Sequence, residues 1–382
     1  MLLDIIAGAR PNFMKIAPII HQIQKKKSEG VSIDFRLIHT GQHYDKKMSG
    51  TFFEELNIPF PDKNLGAGGG SQAEQTAKIM VEYEKVLAES KPDLCLVVGD
   101  VTSTMACSVT AKKMNVKVAH VEGGIRSGDW TMPEEINRMV TDSITDFFFT
   151  TSDHANQNLL SEGVKSDQIF YVGNTMIDTL LENINHLKKP EVWDSAGLKP
   201  SNYAVMTMHR PSNVDERNQL ELLLNSITSS LEKIKIVFPA HPRTKKILDQ
   251  LNIDHSKLHI IEPLGYLEFI YLVKHSFGVI TDSGGITEET TVLNIPCITL
   301  RNNTERPETV IMGTNRLVGT SPGAIIKAVK DLEAGNWKKG SVPKLWDGNT
   351  AVRIVDHLLS IYSSGMLDSY KPNINRELMS RF

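Results

Sequence analysis

The sequence predicts an α/β protein built as two Rossmann-like, doubly wound parallel-sheet domains facing each other across a cleft. Three observations carry this. Short β-branched apolar runs alternate with longer amphipathic stretches, the pattern of repeated strand-helix-strand units. The alternation breaks between residues 170 and 200 and then restarts. The most reactive side chains stand directly after the apolar runs, where open α/β sheets bind their ligands. At 382 residues, with about 150 per domain, the chain is long enough for two cores.

The elements follow in order. Strands are expected at 2–7, 35–39, 94–98, 116–121 and 147–151, and helices between them at 15–27, 44–56, 71–90 and 102–114. A helix opening near Tyr171 and running to about Leu187 leads into the polar, proline-marked stretch 188–200. Strands resume at 203–208, 234–239, 258–261, 277–281 and 297–300. The first domain is placed at 1–172 and the second at 173–349. A last helix at about 350–365 is expected to pack back on the first domain, and 366–382 reads as a polar tail.

Composition narrows the partners. Forty-two Lys and Arg against 45 Asp and Glu give a net charge of -3, so no global basic field points to nucleic acid or an anionic membrane. Phosphate binding must be local. No apolar stretch approaches the roughly 20 residues of a membrane span. The first residues, with Asp4 inside a short apolar run, read as a strand and not as a leader, so the cytoplasm is the expected compartment. Cys95, Cys107 and Cys297 are isolated and apolar in context, which argues against a disulfide framework or a zinc cluster. No HExxH or comparable histidine spacing supports a metal, no GxGxxG follows the first strand, and no GxxxxGK[ST] is present, so neither a bound nicotinamide cofactor nor a P-loop is expected.

Several strand-end segments carry chemistry. Gly8-Ala-Arg10-Pro-Asn-Phe-Met-Lys15 is a glycine turn entering a helix, with two cations beside its free N–H groups, which makes an anion site. Asp282-Ser283-Gly284-Gly285 follows a strand and lets backbone approach a phosphate closely. Glu289, in the helix that follows, is placed to accept both hydroxyl protons of a ribose diol, so a nucleoside diphosphate fits this loop. Asp100 and Glu122 each follow a strand, and Glu134 opens a helix led by Pro133 with Arg138 one turn later. Carboxylates on separate loops opposite a phosphate-binding half form acid/base machinery for a nucleotide leaving group. His209 and Arg210, with His241 and Arg243, end two strands of the second half and suit a phosphate or a proton donated to a departing one. Thr40-Gly-Gln42-His43-Tyr44 is a further polar strand-end loop.

In their order and spacing, Gly8-Ala-Arg-Pro, Thr40-Gly-Gln-His, Gly99-Asp100, His120-Val-Glu-Gly-Gly-Ile-Arg126, Pro133-Glu-Glu-Ile-Asn-Arg138, Val172-Gly-Asn-Thr, His209-Arg, Asp282-Ser-Gly-Gly-Ile-Thr-Glu-Glu289 and Arg301-Asn-Asn-Thr-Glu-Arg-Pro-Glu308 resemble the non-hydrolysing UDP-N-acetylglucosamine 2-epimerases. The resemblance spans nearly the whole chain. It implies a GT-B-like arrangement and interconversion of UDP-N-acetylglucosamine and UDP-N-acetylmannosamine without a cofactor. It further implies catalytic roles for Asp100, Glu122, Glu134 and His209, substrate-binding roles for Arg10, Lys15 and Arg138, phosphate contacts at Ser283 and Gly284, and a ribose contact at Glu289. Gln42 and His43 match a loop that in some bacterial members builds a second UDP-N-acetylglucosamine site. Members are usually homodimers, and the exposed face of helix 102–114 is one expected surface.

This chain departs from the commonest bacterial pattern at Ala9, Asn12, Phe13 and Gly123 and in His209-Arg-Pro-Ser-Asn213, and the segment 128–133 is shortened. No implied catalytic residue is lost, but the second site is placed in doubt. Hydrolysing relatives commonly read Arg-Ala-Asp where this chain has Arg10-Pro-Asn12. A hydrolysing 2-epimerase, a glycosyltransferase of the same architecture and a nucleotide-sugar-binding regulator without turnover are the competing readings.

Overall fold

The structure, a computed structural model, describes residues 1–41, 53, 55–240, 242–251, 253 and 255–367, apart from the side chains of Arg10, Pro211, Ser212, Pro242, Arg243 and His255. The expected helix at 44–56 falls mostly outside the described residues. The chain divides into two compact units. Unit 1 comprises Met1–Gly124, Trp130–Thr175 and the chain from Asn349, and unit 2 comprises Ile125–Asp129 and Met176–Gly348.

In unit 1, β1 (Leu2–Ala7), β2 (Asp34–His39), β3 (Lys63–Asn64), β4 (Leu94–Val98), β5 (Lys117–Val121), β6 (Phe147–Thr150) and β7 (Ile169–Tyr171) form an all-parallel sheet in the order β3-β2-β1-β4-β5-β6-β7. Helices α1 (Arg10–Ser28), α2 (Gln72–Glu89), α3 (Thr102–Lys113), α4 (Pro133–Ile144) and α5 (Asp153–Ser161) connect the strands. All of β4, Leu-Cys-Leu-Val-Val, is buried, as a strand covered on both faces must be. Asp4 is tolerated in β1 because Arg36 donates to it twice, at 2.8 and 2.9 Å, and the Tyr83 hydroxyl once, at 2.9 Å. Burial nonetheless pushes its carboxyl above the usual range.

Helix α1 begins at Arg10, earlier than apolar spacing suggests, because Pro11 suits its first turn. Helix α2 starts with a reciprocal cap in which Ser71 Oγ accepts from Glu74 N–H and Glu74 Oε2 accepts from Ser71 N–H. Helix α3 is buried over most of its surface. Thr102, Ser103, Thr104, Ala106, Cys107, Ser108, Thr110 and Ala111 are all buried. These small side chains let α2 and α4 pack against it closely, while Met105, Val109 and Lys112 stay half-buried and Lys113 is exposed.

In unit 2, α6 (Thr175–Asn183) and α7 (Glu191–Ser195) precede a second all-parallel sheet. Its strands are β8 (Tyr203–Thr207), β9 (Lys235–Pro239), β10 (Leu258–Ile261), β11 (Gly278–Thr281), β12 (Cys297–Thr299) and β13 (Asn315–Leu317), in the order β10-β9-β8-β11-β12-β13. Helices α8 (Pro211–Val214), α9 (Arg217–Thr228), α10 (Pro242–Leu248), α11 (Tyr266–His275), α12 (Gly284–Leu293), α13 (Pro307–Ile311) and α14 (Pro322–Glu333) flank it. Met206, Leu223, Leu224, Phe238 and Ile280 pack one face, and Tyr203, Val205, Val237 and Leu272 the other. Cys95, Cys107 and Cys297 are all free and buried. A final helix, α15 (Thr350–Ser363), belongs to unit 1, where it packs on α1 and Lys26 pairs with Asp356 at 3.1 Å.

Both sheets reverse their winding at one place, between β1 and β4 in unit 1 and between β8 and β11 in unit 2. The chain splits apart there beyond the strand ends, leaving the crevice in which such sheets bind ligands.

Candidate active site

At the unit 1 switch point the loop after β1 is held by Asn12, a buried residue. Its Oδ1 accepts from Gly8 and Ala9 N–H at 3.2 and 3.0 Å, while its Nδ2 donates to the Val98 carbonyl at the end of β4 at 3.0 Å. Gly99 then turns with φ +69°, and a Cβ there would meet Lys15 Nζ at 3.1 Å. This turn presents Asp100, whose Oδ2 accepts from Arg138 Nε at 3.0 Å and Nη2 at 2.8 Å. Arg138 is only 3% exposed, and its Nη1 also pairs with Glu135 one turn back on α4. Asp100 stays 32% exposed.

Glu122, directly after β5, is 3% exposed, and its Oε2 lies 2.8 Å from Lys15 Nζ. Its φ is +71°. A non-glycine residue in that region costs on the order of 1 kcal/mol or more, and such strain persists where surrounding structure fixes it, often at functional sites. The surroundings are visible here: Glu122 N–H donates to the Phe149 carbonyl at 2.9 Å. Beneath the turn, His120 Nε2 donates to the Gly99 carbonyl at 2.8 Å and its Nδ1 lies 2.6 Å from Asp142 Oδ1. Asp142 accepts from Gly124 N–H at 2.9 Å, so one buried pair ties the Asp100 and Glu122 turns together. Glu134, in the first turn of α4, is half-buried.

Unit 2 repeats the arrangement with different chemistry. Asp282, fully buried at the end of β11, accepts from the N–H groups of His209 and Arg210 beyond β8, from Asn213 Nδ2 at 3.0 Å, and from His209 Nδ1 at 2.9 Å. Burial alone would raise its carboxyl, but these donors hold it below the usual carboxylate range. The His209 side chain is 65% exposed. Ser283 stands at the N-cap position of α12 without a side-chain cap bond, so the N–H groups of Gly284 and Gly285 begin a ten-residue helix at its positive end. A Cβ on Gly284 would lie 2.8 Å from Glu305 Oε1, which Arg301 holds at 3.1 Å.

One turn further into α12, Glu289 is buried and accepts from the Tyr266 hydroxyl at 3.1 Å. Burial, aided by the neighbouring Glu288 charge and opposed by the Tyr266 bond, raises its carboxyl from 4.5 to about 8. Glu288 itself pairs with Arg306 at 2.5 Å.

The structure thus groups Lys15, Asp100, Glu122, Glu134 and Arg138 in unit 1, and His209, Ser283, Gly284, Gly285 and Glu289 in unit 2. Gln42, His43 and His241 lie outside the described residues, as do the side chains of Arg10 and Arg243. Lys15 and Arg138, expected as substrate cations, each already pair with a carboxylate expected to be catalytic. Sequence reasoning missed Asn12, Glu135, Asp142, Tyr266 and Asp282 as organisers of these turns. Of these, only Asp282 carried a signal, since it is the first residue past a strand, as Glu122 is. Among the described residues, no group of three or more His, Cys, Asp or Glu side chains is spaced to hold a metal ion, and no helix is long and apolar enough to cross a membrane.

Comparison with known proteins shows the family. Residues 25–359 match the family model described as UDP-N-acetylglucosamine 2-epimerase. The UDP-N-acetylglucosamine 2-epimerase of Methanocaldococcus jannaschii is 43% identical over 367 residues, covering 93% of this chain and 98% of the relative. The UDP-2,3-diacetamido-2,3-dideoxy-D-glucuronate 2-epimerase of Pseudomonas aeruginosa is 37% identical, covering 93% of this chain and 99% of that one. The crystal structure of the Methanocaldococcus enzyme in complex with UDP-GlcNAc and UDP superposes with a TM-score of 0.83, covering 94% of this chain and 100% of its own. The fold and the two switch-point sites define a two-unit, GT-B-like α/β protein. The chain belongs to the UDP-N-acetylglucosamine 2-epimerase family.

Proposed function

We propose that this protein interconverts UDP-N-acetylglucosamine and UDP-N-acetylmannosamine without hydrolysis. The second domain (173–349) holds the nucleotide and the first (1–172) supplies the carboxylates. The observation that carries the reading is the set of three carboxylates of unit 1, Asp100 and Glu122 on two strand-end turns and Glu134 in the first turn of α4, the first two already paired with Arg138 and Lys15.

The chemistry asks for such a set. The C2 hydrogen is not beside a carbonyl, so direct abstraction is prohibitively slow. If the C1–O bond breaks first, its electron pair leaves with the β-phosphate oxygen and an oxocarbenium-like centre grows at C1. That centre acidifies C2–H; a carboxylate takes the proton, and the C–H pair becomes the C1=C2 bond of 2-acetamidoglucal. Return of a proton to the opposite face of C2, with the UDP oxygen re-adding at C1, completes the inversion. Acid and base groups are therefore needed on both faces. Both Arg138 bonds fall on Asp100 Oδ2, which leaves Oδ1 for proton transfer.

Arg10, Lys15 and Arg138, with His241 and Arg243, balance the diphosphate charge. The Ser283 hydroxyl and the N–H groups of Gly284 and Gly285 stabilise it as it develops. Glu289 receives the ribose diol, and His209 meets the departing phosphate. Gln42 and His43 stand where a second, activating UDP-N-acetylglucosamine would bind. The enzyme needs neither metal nor redox cofactor, acts as a cytoplasmic homodimer, and supplies N-acetylmannosamine-type sugars for surface polysaccharide or glycan synthesis. The first-loop sequence Arg10-Pro-Asn12, unlike the Arg-Ala-Asp of hydrolysing relatives, supports retention of UDP.

Chromatography of the nucleotide sugars after incubation with UDP-N-acetylglucosamine tests this. UDP-N-acetylmannosamine as product supports the proposal, whereas free N-acetylmannosamine with stoichiometric UDP makes the enzyme hydrolysing. The nucleotide sugar named for the Pseudomonas relative is the control for substrate choice, and faster turnover of it would move the assignment to that substrate.

A further inference from the structure

Asp282 accepts more hydrogen bonds than a strand-end carboxylate needs merely to be satisfied. Three of its donors, His209 N–H, Arg210 N–H and Asn213 Nδ2, fix the backbone beyond β8. The fourth is a ring nitrogen: His209 Nδ1 lies 2.9 Å from Asp282 Oδ1. An ionised carboxylate only accepts, so in this contact Nδ1 carries the hydrogen. In a neutral ring the lone pair then resides on Nε2, which has no partner among the described residues, on a side chain that is 65% exposed. A free imidazole prefers the opposite tautomer, so the arrangement is imposed.

We propose that Asp282 is a positioning residue for the reaction: it locks His209 in the Nδ1–H form, fixes the ring plane, and presents Nε2 to the diphosphate of the nucleotide sugar. The catalytic half of this inference rests on the function proposed above; the tautomeric half does not. With a proton on Nε2 the ring is an imidazolium, whose charge Asp282 balances from behind while Nε2–H donates to the β-phosphate oxygen as the C1–O bond opens. The carboxylate orients and balances the ring and does not itself take the proton. The strand order makes this possible. Asp282 ends β11 and His209 follows β8, the two strands that flank the switch point, so a single buried side chain spans the gap between their loops.

Asp282→Asn separates this role from a structural one. The exchange keeps size and shape, and one oxygen can still accept from Arg210 N–H and Asn213 Nδ2. The new NH2 then faces His209 Nδ1, which must become an acceptor, and the hydrogen moves to Nε2. We expect kcat to fall about 100-fold or more, because without the carboxylate an imidazolium is no longer balanced and the ring donates from Nε2 without a positive charge toward the developing diphosphate, with KM changed less than about threefold. In the His209→Gln background, Asp282→Asn should cost nothing further, because its effect runs through the ring.

The direct readout is the nitrogen-15 ring spectrum of the wild-type chain, recorded at a pH where the ring is neutral and assigned by loss of the signal in His209→Gln. Nδ1 should appear protonated and Nε2 bare, reversing in Asp282→Asn. An Nε2–H ring in the wild type overturns the proposal, and so does a double variant at least tenfold slower than His209→Gln alone. If Asp282→Asn does not fold, the wild-type spectrum still decides. If the wild-type protein turns over no nucleotide sugar, the function reading fails, while the spectrum still shows whether Asp282 sets the tautomer.

Discussion

Replacing Glu289 by Gln should make unit 2 less sensitive to pH. In the folded state the Glu289 carboxyl titrates at about 8 instead of 4.5, chiefly because it is buried. Between those values the folded chain holds a proton that the unfolded chain has released. Stability therefore falls as pH rises, by about 1.4 kcal/mol per pH unit. The favourable contribution is complete below pH 4.5 and lost by pH 8, with a ceiling of about 5 kcal/mol over the whole span. The substituted glutamine side chain cannot ionise, yet its amide oxygen can still accept from Tyr266. The difference between wild type and Glu289→Gln, wild type minus variant, should thus drop steadily from pH 5 to pH 8. Urea unfolding followed by tryptophan fluorescence suits the test, since Trp193, Trp337 and Trp346 all lie in unit 2 and only Trp130 lies in unit 1. A difference constant within about 0.5 kcal/mol over that range, well under the ceiling set by linkage, would refute the assignment of a protonated Glu289. The same proton bears on ligand binding. A ribose diol donates two hydrogen bonds and favours the ionised carboxylate, so UDP binding near neutral pH should release close to one proton, seen by calorimetry in buffers of different ionisation heat.

Further outcomes follow from unit 1. Asp100→Asn, Glu122→Gln and Glu134→Gln should each keep the far-ultraviolet circular dichroism of the wild type and lose turnover; wild-type rates in two of them would remove the carboxylates from the mechanism. Lys15→Met takes the cation away from the buried Glu122 carboxylate and should destabilise unit 1 by about 3 kcal/mol, read by urea unfolding; a change below about 0.5 kcal/mol, the scale of an exposed ion pair, would contradict the pairing. Gly124→Ala should cost about 2 to 4 kcal/mol, because its φ is +81° and a Cβ would lie 2.5 Å from the Ala155 carbonyl oxygen. An unchanged melting temperature would show that this turn can relax.

Much of the fold is legible in the sequence because parallel strands covered on both faces must be continuously apolar. Leu94–Val98 could hardly be anything else. The strands at Lys63–Asn64 and Asn315–Leu317 could not be read that way, since each is two or three mostly polar residues added at a sheet edge. The strand-end positions of Asp100, Glu122 and His209 were likewise readable. Their partners were not, because pairing across a switch point joins residues far apart in the chain. Asn12 reaches Val98 over 86 residues and Asp282 reaches His209 over 73. The depth to which helix α3 is buried was not readable for a related reason. Its Ser and Thr hydroxyls bond back to the helix's own backbone, Ser108 to the Thr104 carbonyl at 2.7 Å and Thr110 to the Ala106 carbonyl at 2.9 Å. That leaves the helix free to be buried between neighbours.

The central claim is that a carboxylate of this chain removes the C2 proton while UDP is retained for re-addition. Proton NMR of the purified protein with UDP-N-acetylglucosamine in heavy water, without added metal or nicotinamide, tests it most directly. The account predicts loss of the C2 proton signal to deuterium, together with growth of the UDP-N-acetylmannosamine C1 signal. Conversion with the C2 proton retained, or a spectrum left unchanged even when an activator is supplied, would contradict it.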